Sequence, residues 1–303
     1  MIKKLSDLEH YLLSKKIHAT LVVVAARDTN VLEAVLKAKK TGIVDIILVG
    51  NRSEIEGLFS EHGYDLCEIE IIDEPDDVAA GYRAVELIRD GKAHILMNGQ
   101  ESYFGISIIS KPILDRNYGI QKGKTMSHVA LFELENYHKL IAVTDVAINI
   151  LPDLRTKTAI VDNAVFLMRR FGIDTPKVAV LAAVEVVNEL MPATMHAAML
   201  SKMAQRGQIK NCVIDGPLAF DNAISKRNAI HKGIVNEVSG DVDILLAPDI
   251  ETAGMMYEAF VLFENAHAAS ITVGATAPVV LTTKLDTPET RFNSILLSVC
   301  TYL

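Results

Sequence analysis

The sequence predicts an α/β fold built on largely parallel sheet, and three observations carry that expectation. Short apolar runs alternate with longer segments whose apolar residues recur every three or four positions. The short runs ("ATLVVVAA", "IVDIILVG", "HILMNG", "KVAVLAA", "VDILLAPD") are nearly continuous and β-branched, as expected of strands covered by helices on both faces. Half of the 303 residues are hydrophobic and Trp is absent, so the core is aliphatic.

The elements follow in order. "MIKKLSDLEHYLLSKK" reads as an amphipathic helix with Leu5, Leu8, Leu12 and Leu13 on one side. It has no continuous apolar stretch of the kind a secretory leader needs. "ATLVVVAA" runs directly into Arg27-Asp28, far short of the roughly 18 apolar residues of a membrane span. A cytoplasmic protein without membrane partners is expected. Helical periodicity covers Thr29–Thr41, Ala79–Asp90, Lys157–Phe171 and Met191–Arg206. Methionines at 191, 195, 199 and 203 form a stripe on the last of these, and a core role is expected for them, with an adaptable interface as the alternative. Cys67, Cys212 and Cys300 are far apart and read as buried small hydrophobes. A net charge of −8 argues against a general nucleic-acid binder.

In parallel sheets ligands bind beyond the carboxyl ends of the strands. Thr144-Asp145, Asp215-Gly216-Pro217, Ala247-Pro248-Asp249 and Gly274-Ala275 all read as polar strand ends, which together suggest one rim of a cleft. Taken singly, each has a plainer reading as a helix cap. The segment from Gly99 to Thr125 carries Lys111, Arg116, Lys122 and Lys124 and reads either as a cationic arm or as a solvated loop.

Nucleotide motifs fail on spacing. "GIQKGKTMS" places only three residues between Gly119 and Gly123-Lys124-Thr125, where a P-loop requires four. No G-x-G-x-x-G follows the first strand, and the nine His residues show no metal-ligand spacing. "LTTKLDTPETRF" is more informative. Thr287-Pro288-Glu289 marks a helix start, and Thr282, Thr283 and Lys284 place hydroxyls and a cation just upstream. That combination suits an anion, and a capping loop with a surface lysine is the bland alternative.

"TDVAINILPDL", "MPATMHAAMLSKMAQRGQIKNCVIDGPLAFDNAIS", "HKGIVNEVSGDVDILLAPDIETAGMMYE" and "VGATAPVVLTTKLDTPET" resemble the phosphate acetyltransferase/phosphate butyryltransferase family, nearest its butyryl branch. The likeness runs from about Lys124 to the C-terminus and is weaker before it. It implies a two-domain isocitrate/isopropylmalate dehydrogenase-like fold with an interdomain cleft. Residues 1–126 plus 274–303 would form a discontinuous first domain. Residues 127–273 would form the second, carrying the cleft floor and a homodimer interface. It further implies transfer of a short acyl group between coenzyme A and inorganic phosphate, with coenzyme A as substrate and no metal or resident cofactor.

Such chemistry needs a base for the thiol, donors for an oxyanion and a cation for phosphate. In the acetyl branch a Ser-Arg pair followed by an Asp supplies these, and the matching segment here is Thr283-Lys284 with Asp286 or Glu289 as the acid. Lys keeps the charge of Arg but not its fork. Where the family usually has Lys-Gly after the "ILM" strand, this chain has Asn98-Gly99. Asp145, Asn149, Asp215, Asn222 and Asn98 are the expected substrate contacts. Two other classes stay open: a catalytically weak binder of coenzyme A or acyl phosphate, and a metal-dependent dehydrogenase of the same fold.

Overall fold

The computed structural model describes residues 2–100, 108–121, 123–170, 172–281 and 283–302. Thr282, Lys122 and most of "QESYFG" lie outside them. The chain folds into two compact units, one of Ser6–Met126 with Ala269–Leu303, the other of Met1–Leu5 with Ser127–Ala268.

The first unit opens with α1 (Asp7–Ser14), β1 (Ala19–Val24) and α2 (Thr29–Lys40). β2 (Val44–Gly50), α3 (Arg52–Glu61), β3 (Glu70–Asp73), α4 (Asp77–Arg89), β4 (Ile95–Asn98) and α5 (Ser110–Leu114) follow. The helices start where side chains cap them. Asp28, Asn51 and Asp76 each accept backbone N–H groups of the turn that follows. Leu5, Leu8 and Leu12 are buried as the periodicity requires, while Leu13 is half exposed.

The second unit contains β5 (Ser127–Glu133), β6 (Ile141–Thr144), α6 (Leu154–Arg170), β7 (Lys177–Leu181) and α7 (Pro192–Gln205). β8 (Val213–Leu218), α8 (Phe220–Ile224), α9 (Lys226–His231), β9 (Ile244–Leu246) and α10 (Ile250–Phe263) complete it. β10 (His267–Val273) returns the chain to the first unit, which ends with β11 (Val279–Val280) and α11 (Pro288–Tyr302).

Strands in the first unit run in the order β3-β2-β1-β4-β11-β10, and in the second β5-β6-β9-β7-β8. Pairings are parallel except β10 with β11 and β5 with β6. The sheet is thus largely parallel and mixed, as the α/β pattern predicts. In the first unit the order reverses between β1 and β4. The carboxyl ends of those two strands are therefore its topological switch point.

Three expectations are corrected. The run Asp215-Gly216-Pro217 does not end a strand: β8 continues to Leu218, with a bulge against β7 between Ala179 and Leu181. β8 lies at the edge of its sheet, where a proline costs no ladder bond. The methionine stripe is not core. The buried face of α7 is Thr194, Ala197 and Leu200, and Met191 and Met199 are 36% and 43% exposed. Of the cysteines only Cys300 is buried; Cys212 is partly so and Cys67 is exposed.

Candidate active site

At the switch point of the first unit the backbone crosses at close range. Gly99 N donates to Val24 O at 2.7 Å, and Arg27 N donates to Gly99 O at 3.3 Å. A Cβ on Gly99 would lie 2.4 Å from that carbonyl, so only glycine fits. Asn98, just before it, is 1% exposed. Its Nδ2 donates to Gln100 O at 2.6 Å, and its Oδ1 receives no hydrogen bond among the described residues. Arg27 beside it is neutralised by Glu54 at 2.5 Å and Asp77 at 2.8 Å.

The Thr283 segment of the same unit is a closed turn. Thr283 N donates to Asp286 Oδ2 at 2.7 Å, and Asp286 N donates back to Thr283 O at 3.2 Å. Arg291 Nη2 donates to the same carbonyl at 3.1 Å. Both backbone groups of Thr283 are therefore fixed, while its Oγ1 is buried without a hydrogen-bond partner among the described residues. Lys284 is exposed and Asp286 is buried. Thr287 caps α11 by accepting Thr290 N at 3.1 Å. Glu289 stands on the outer side of that first turn, half exposed and ion-paired with Lys37. Of the two candidate acids, Asp286 is thus the one in direct contact with Thr283.

In the second unit Asp145 follows β6 and organises the loop behind it. Its carboxylate accepts N–H groups of His128, Ala147, Ile148 and Asn149 at 3.0–3.1 Å, and the Asn149 side-chain amide at 2.5 Å. Burial still holds its pKa above the ordinary carboxylate value, with these donors pulling it back down. Asp145 and Asn149 are therefore hydrogen-bonded to each other.

Asp215 binds the amide of Asn236 and, at 3.4 Å, the hydroxyl of Ser201. Asn222 is fully buried and donates to Glu185 at 3.4 Å, and its Oδ1 has no partner among the described residues. Glu185 and Asp221 share Lys232 at 3.3 and 3.1 Å, and that contact depresses the Asp221 pKa. Among the described residues no group of three His, Cys, Asp or Glu side chains is placed to share a metal.

Two charged groups escaped the sequence reading. Lys157, 3% exposed on α6, sits 3.3 Å from His196 Nδ1, and burial lowers both pKa values. Arg291 is 1% exposed. A signal for it existed: from Phe292 to Leu303 the chain carries no charged side chain, so an arginine heading that run must find its partners inside.

Comparison with known proteins places the chain in a family. Residues 77–299 match the family model described as phosphate acetyl/butaryl transferase. The chain is 46% identical over 298 residues to a phosphate butyryltransferase of Clostridium acetobutylicum, covering 98% of each. It is 41% identical over 278 residues to a phosphate acetyltransferase of Thermotoga maritima, covering 92% of this chain and 93% of that one. Among solved structures, a branched-chain phosphotransacylase from Enterococcus faecalis superposes with a TM-score of 0.82 at 28% identity, over 94% of this chain and 99% of that one. The chain therefore belongs to the phosphate acetyltransferase/phosphate butyryltransferase family, enzymes that pass an acyl group between coenzyme A and inorganic phosphate.

Proposed function

We propose that this acyltransferase acts on a short acyl group, butyryl or branched before acetyl, and that the Thr283–Asp286 turn is its reacting centre. The observation that carries the site is a buried threonine hydroxyl left without a partner among the described residues while both backbone groups of the same residue are clamped. Buried hydroxyls are normally satisfied, so one that is not invites a ligand atom. The preference among acyl groups rests on the higher identity to the butyryl enzyme, 46% against 41%.

In the direction of acyl-CoA synthesis, the coenzyme A thiol passes its proton to a carboxylate, Asp286 in this reading with Glu289 as the alternative. The thiolate attacks the acyl-phosphate carbonyl carbon, and the carbonyl oxygen becomes an oxyanion that accepts a hydrogen bond from Thr283 Oγ1. The bond from carbon to the phosphate oxygen then breaks, and phosphate leaves with its charge met by Lys284. Coenzyme A is a substrate here, and the chemistry calls for no resident cofactor. Asn98 in the first unit and Asn222 in the second each offer a buried oxygen without a partner among the described residues for substrate contact. Asp145, Asn149 and Asp215 serve by shaping their loops.

The isocitrate/isopropylmalate dehydrogenase-like pairing of domains about a cleft belongs to this proposal and rests on the resemblance. So does a homodimer built on the second unit. Support for the dimer comes from apolar side chains left in water there: Leu190 is 85% exposed, Leu151 80% and Ile150 66%, beside the half-exposed methionines of α7. Sedimentation showing only monomer at micromolar concentration would remove it.

Phosphate-dependent release of free thiol from acetyl-, butyryl- and isobutyryl-CoA, with and without chelator, tests the activity. Turnover insensitive to chelator and fastest with the four-carbon substrates is expected. Binding without turnover favours the weak-binder reading, which Asn98 and Lys284 motivate as departures from the family pattern. No described helix is long and apolar enough to cross a membrane, and a cytoplasmic location is proposed with the function.

A further inference from the structure

We propose that Arg291 is a positioning residue for acyl transfer, acting on the reacting group through the backbone of Thr283. This rests on the reading of Thr283 Oγ1 as the oxyanion donor.

A guanidinium does not lose its proton in a protein, so burying one demands partners arranged around it. Arg291 is among the largest fully buried side chains of the molecule. Its Nη2 reaches the Thr283 carbonyl at 3.1 Å, and its Nη1 lies 3.7 Å from Asp28 Oδ1. The same Asp28 oxygen accepts Asn30 N at 2.7 Å and Val31 N at 3.2 Å, starting α2. One planar fork thus joins three things: the first turn of α11, the Thr283 turn, and the helix that leaves the carboxyl end of β1.

The consequence for Thr283 is specific. Asp286 fixes its N–H and, through a second bond, shares its carbonyl; Arg291 supplies the contact from outside the turn. Loss of that contact unties the Thr283 carbonyl from the buried side of α11 and lets the hydroxyl shift. A hydroxyl that must meet an oxyanion tolerates little displacement, since a misplacement of about 1 Å can cost about a hundredfold in rate. Lys284 cannot substitute: it is exposed and follows Thr283 in the chain, whereas Arg291 reaches the carbonyl from the buried side. Lysine at position 291 would keep the charge facing Asp28 and lose the planar Nη2–H that meets the Thr283 carbonyl.

A double-mutant cycle decides the matter, with circular dichroism confirming that each protein is folded at the assay temperature. Arg291→Lys is expected to lower kcat about ten- to a hundredfold while the KM values for acyl-CoA and phosphate move less than about threefold. If Arg291 acts through the Thr283 hydroxyl, Arg291→Lys placed on Thr283→Val costs little more than Thr283→Val alone. Multiplying losses in the double variant would show a general structural role and overturn the proposal. Should Arg291→Lys not fold, Asp28→Asn keeps the acceptor for α2 and removes the carboxylate facing Nη1, and the same non-additivity with Thr283→Val is expected. An unchanged kcat in Thr283→Val would instead sink the assignment of Thr283, an outcome separate from full loss in Thr283→Val with no effect of Arg291→Lys, which sinks only the role of Arg291.

Discussion

Thr283, Lys284 and Asp286 sit within four residues, yet their surroundings assign them different work. Thr283 has its backbone bound on both sides and its hydroxyl unsatisfied among the described residues, which suits the preorganised donor proposed for it. Thr283→Val, nearly isosteric, is expected to lower kcat by about a hundred- to a thousandfold, the usual cost of one oxyanion donor, with little change in either KM. Stopped-flow thiol release measures it, and a kcat within threefold of the parent would count against the assignment. Lys284 is exposed, so water and salt screen its charge. For Lys284→Ala the expected effect is accordingly at the low end for a charge-assisted contact, about tenfold in phosphate KM with kcat nearly unchanged. Raising ionic strength should shrink the difference between parent and variant, which a solvated loop lysine would not show. Asn98, by contrast, is buried at a strand end, so a lysine placed there would bury an ammonium instead of restoring a family charge.

At the level of elements, the crossing at the ends of β1 and β4 depends on one absent side chain. A Cβ on Gly99 would meet backbone, Val24 O at 2.4 Å and Ala26 Cα at 2.8 Å, and backbone cannot swing aside. Gly99→Ala is expected to destabilise by about 3 kcal/mol or more. Gly57→Ala, on α3 with nothing within 4 Å of the new atom, is expected to stabilise by about 0.5–1 kcal/mol. Urea melts of the two variants check the contrast, and equal midpoints would sink it. The start of α11 was legible because capping is local and Thr287 announces it, whereas the caps Asp28, Asn51 and Asp76 went unread and the start of α4 was placed two residues late. β8 was not legible, because an edge position that tolerates Pro217 is a property of the whole sheet. The methionines of α7 were misread for the same reason. Spacing shows that they share a face, and only the packing shows that Thr194, Ala197 and Leu200 hold the buried one.

Across the molecule, the sequence reading that polar strand ends mark a site needs a second criterion. Both ends of the strands in the second unit are polar. At the amino ends Asp241 meets His138, Lys139 and Lys177, and Asp243 meets Lys139 at 2.7 Å, a saturated network that depresses the Asp241 pKa. Beyond β8 Asn222 keeps a buried oxygen without a partner among the described residues, as Asn98 does at the end of β4 in the first unit. Polarity could be read from residue types; satisfaction could not, because it depends on residues far apart in the chain. Burial of a titratable group in the same unit also shapes how stability responds to acid. His128, on β5 beside the Asp145 loop, is buried, and burial lowers its pKa to about 4 from the usual 6.5. Between those values the unfolded chain takes up a proton that the folded protein refuses, so stability falls as pH drops from 6.5 toward 4. Asp145 works in the opposite sense, since its raised pKa lets the folded state accept a proton first, and Asp241 adds an acid loss at lower pH. A variant without the imidazole isolates the term. Between pH 7 and pH 4.5 the parent is expected to lose about 2 kcal/mol more than His128→Gln, from the difference between the two pKa values. Urea unfolding at half-unit pH steps measures both curves. Parallel curves would mean that His128 is protonated as readily in the folded protein as in the unfolded chain, and that its burial does not govern the acid limb.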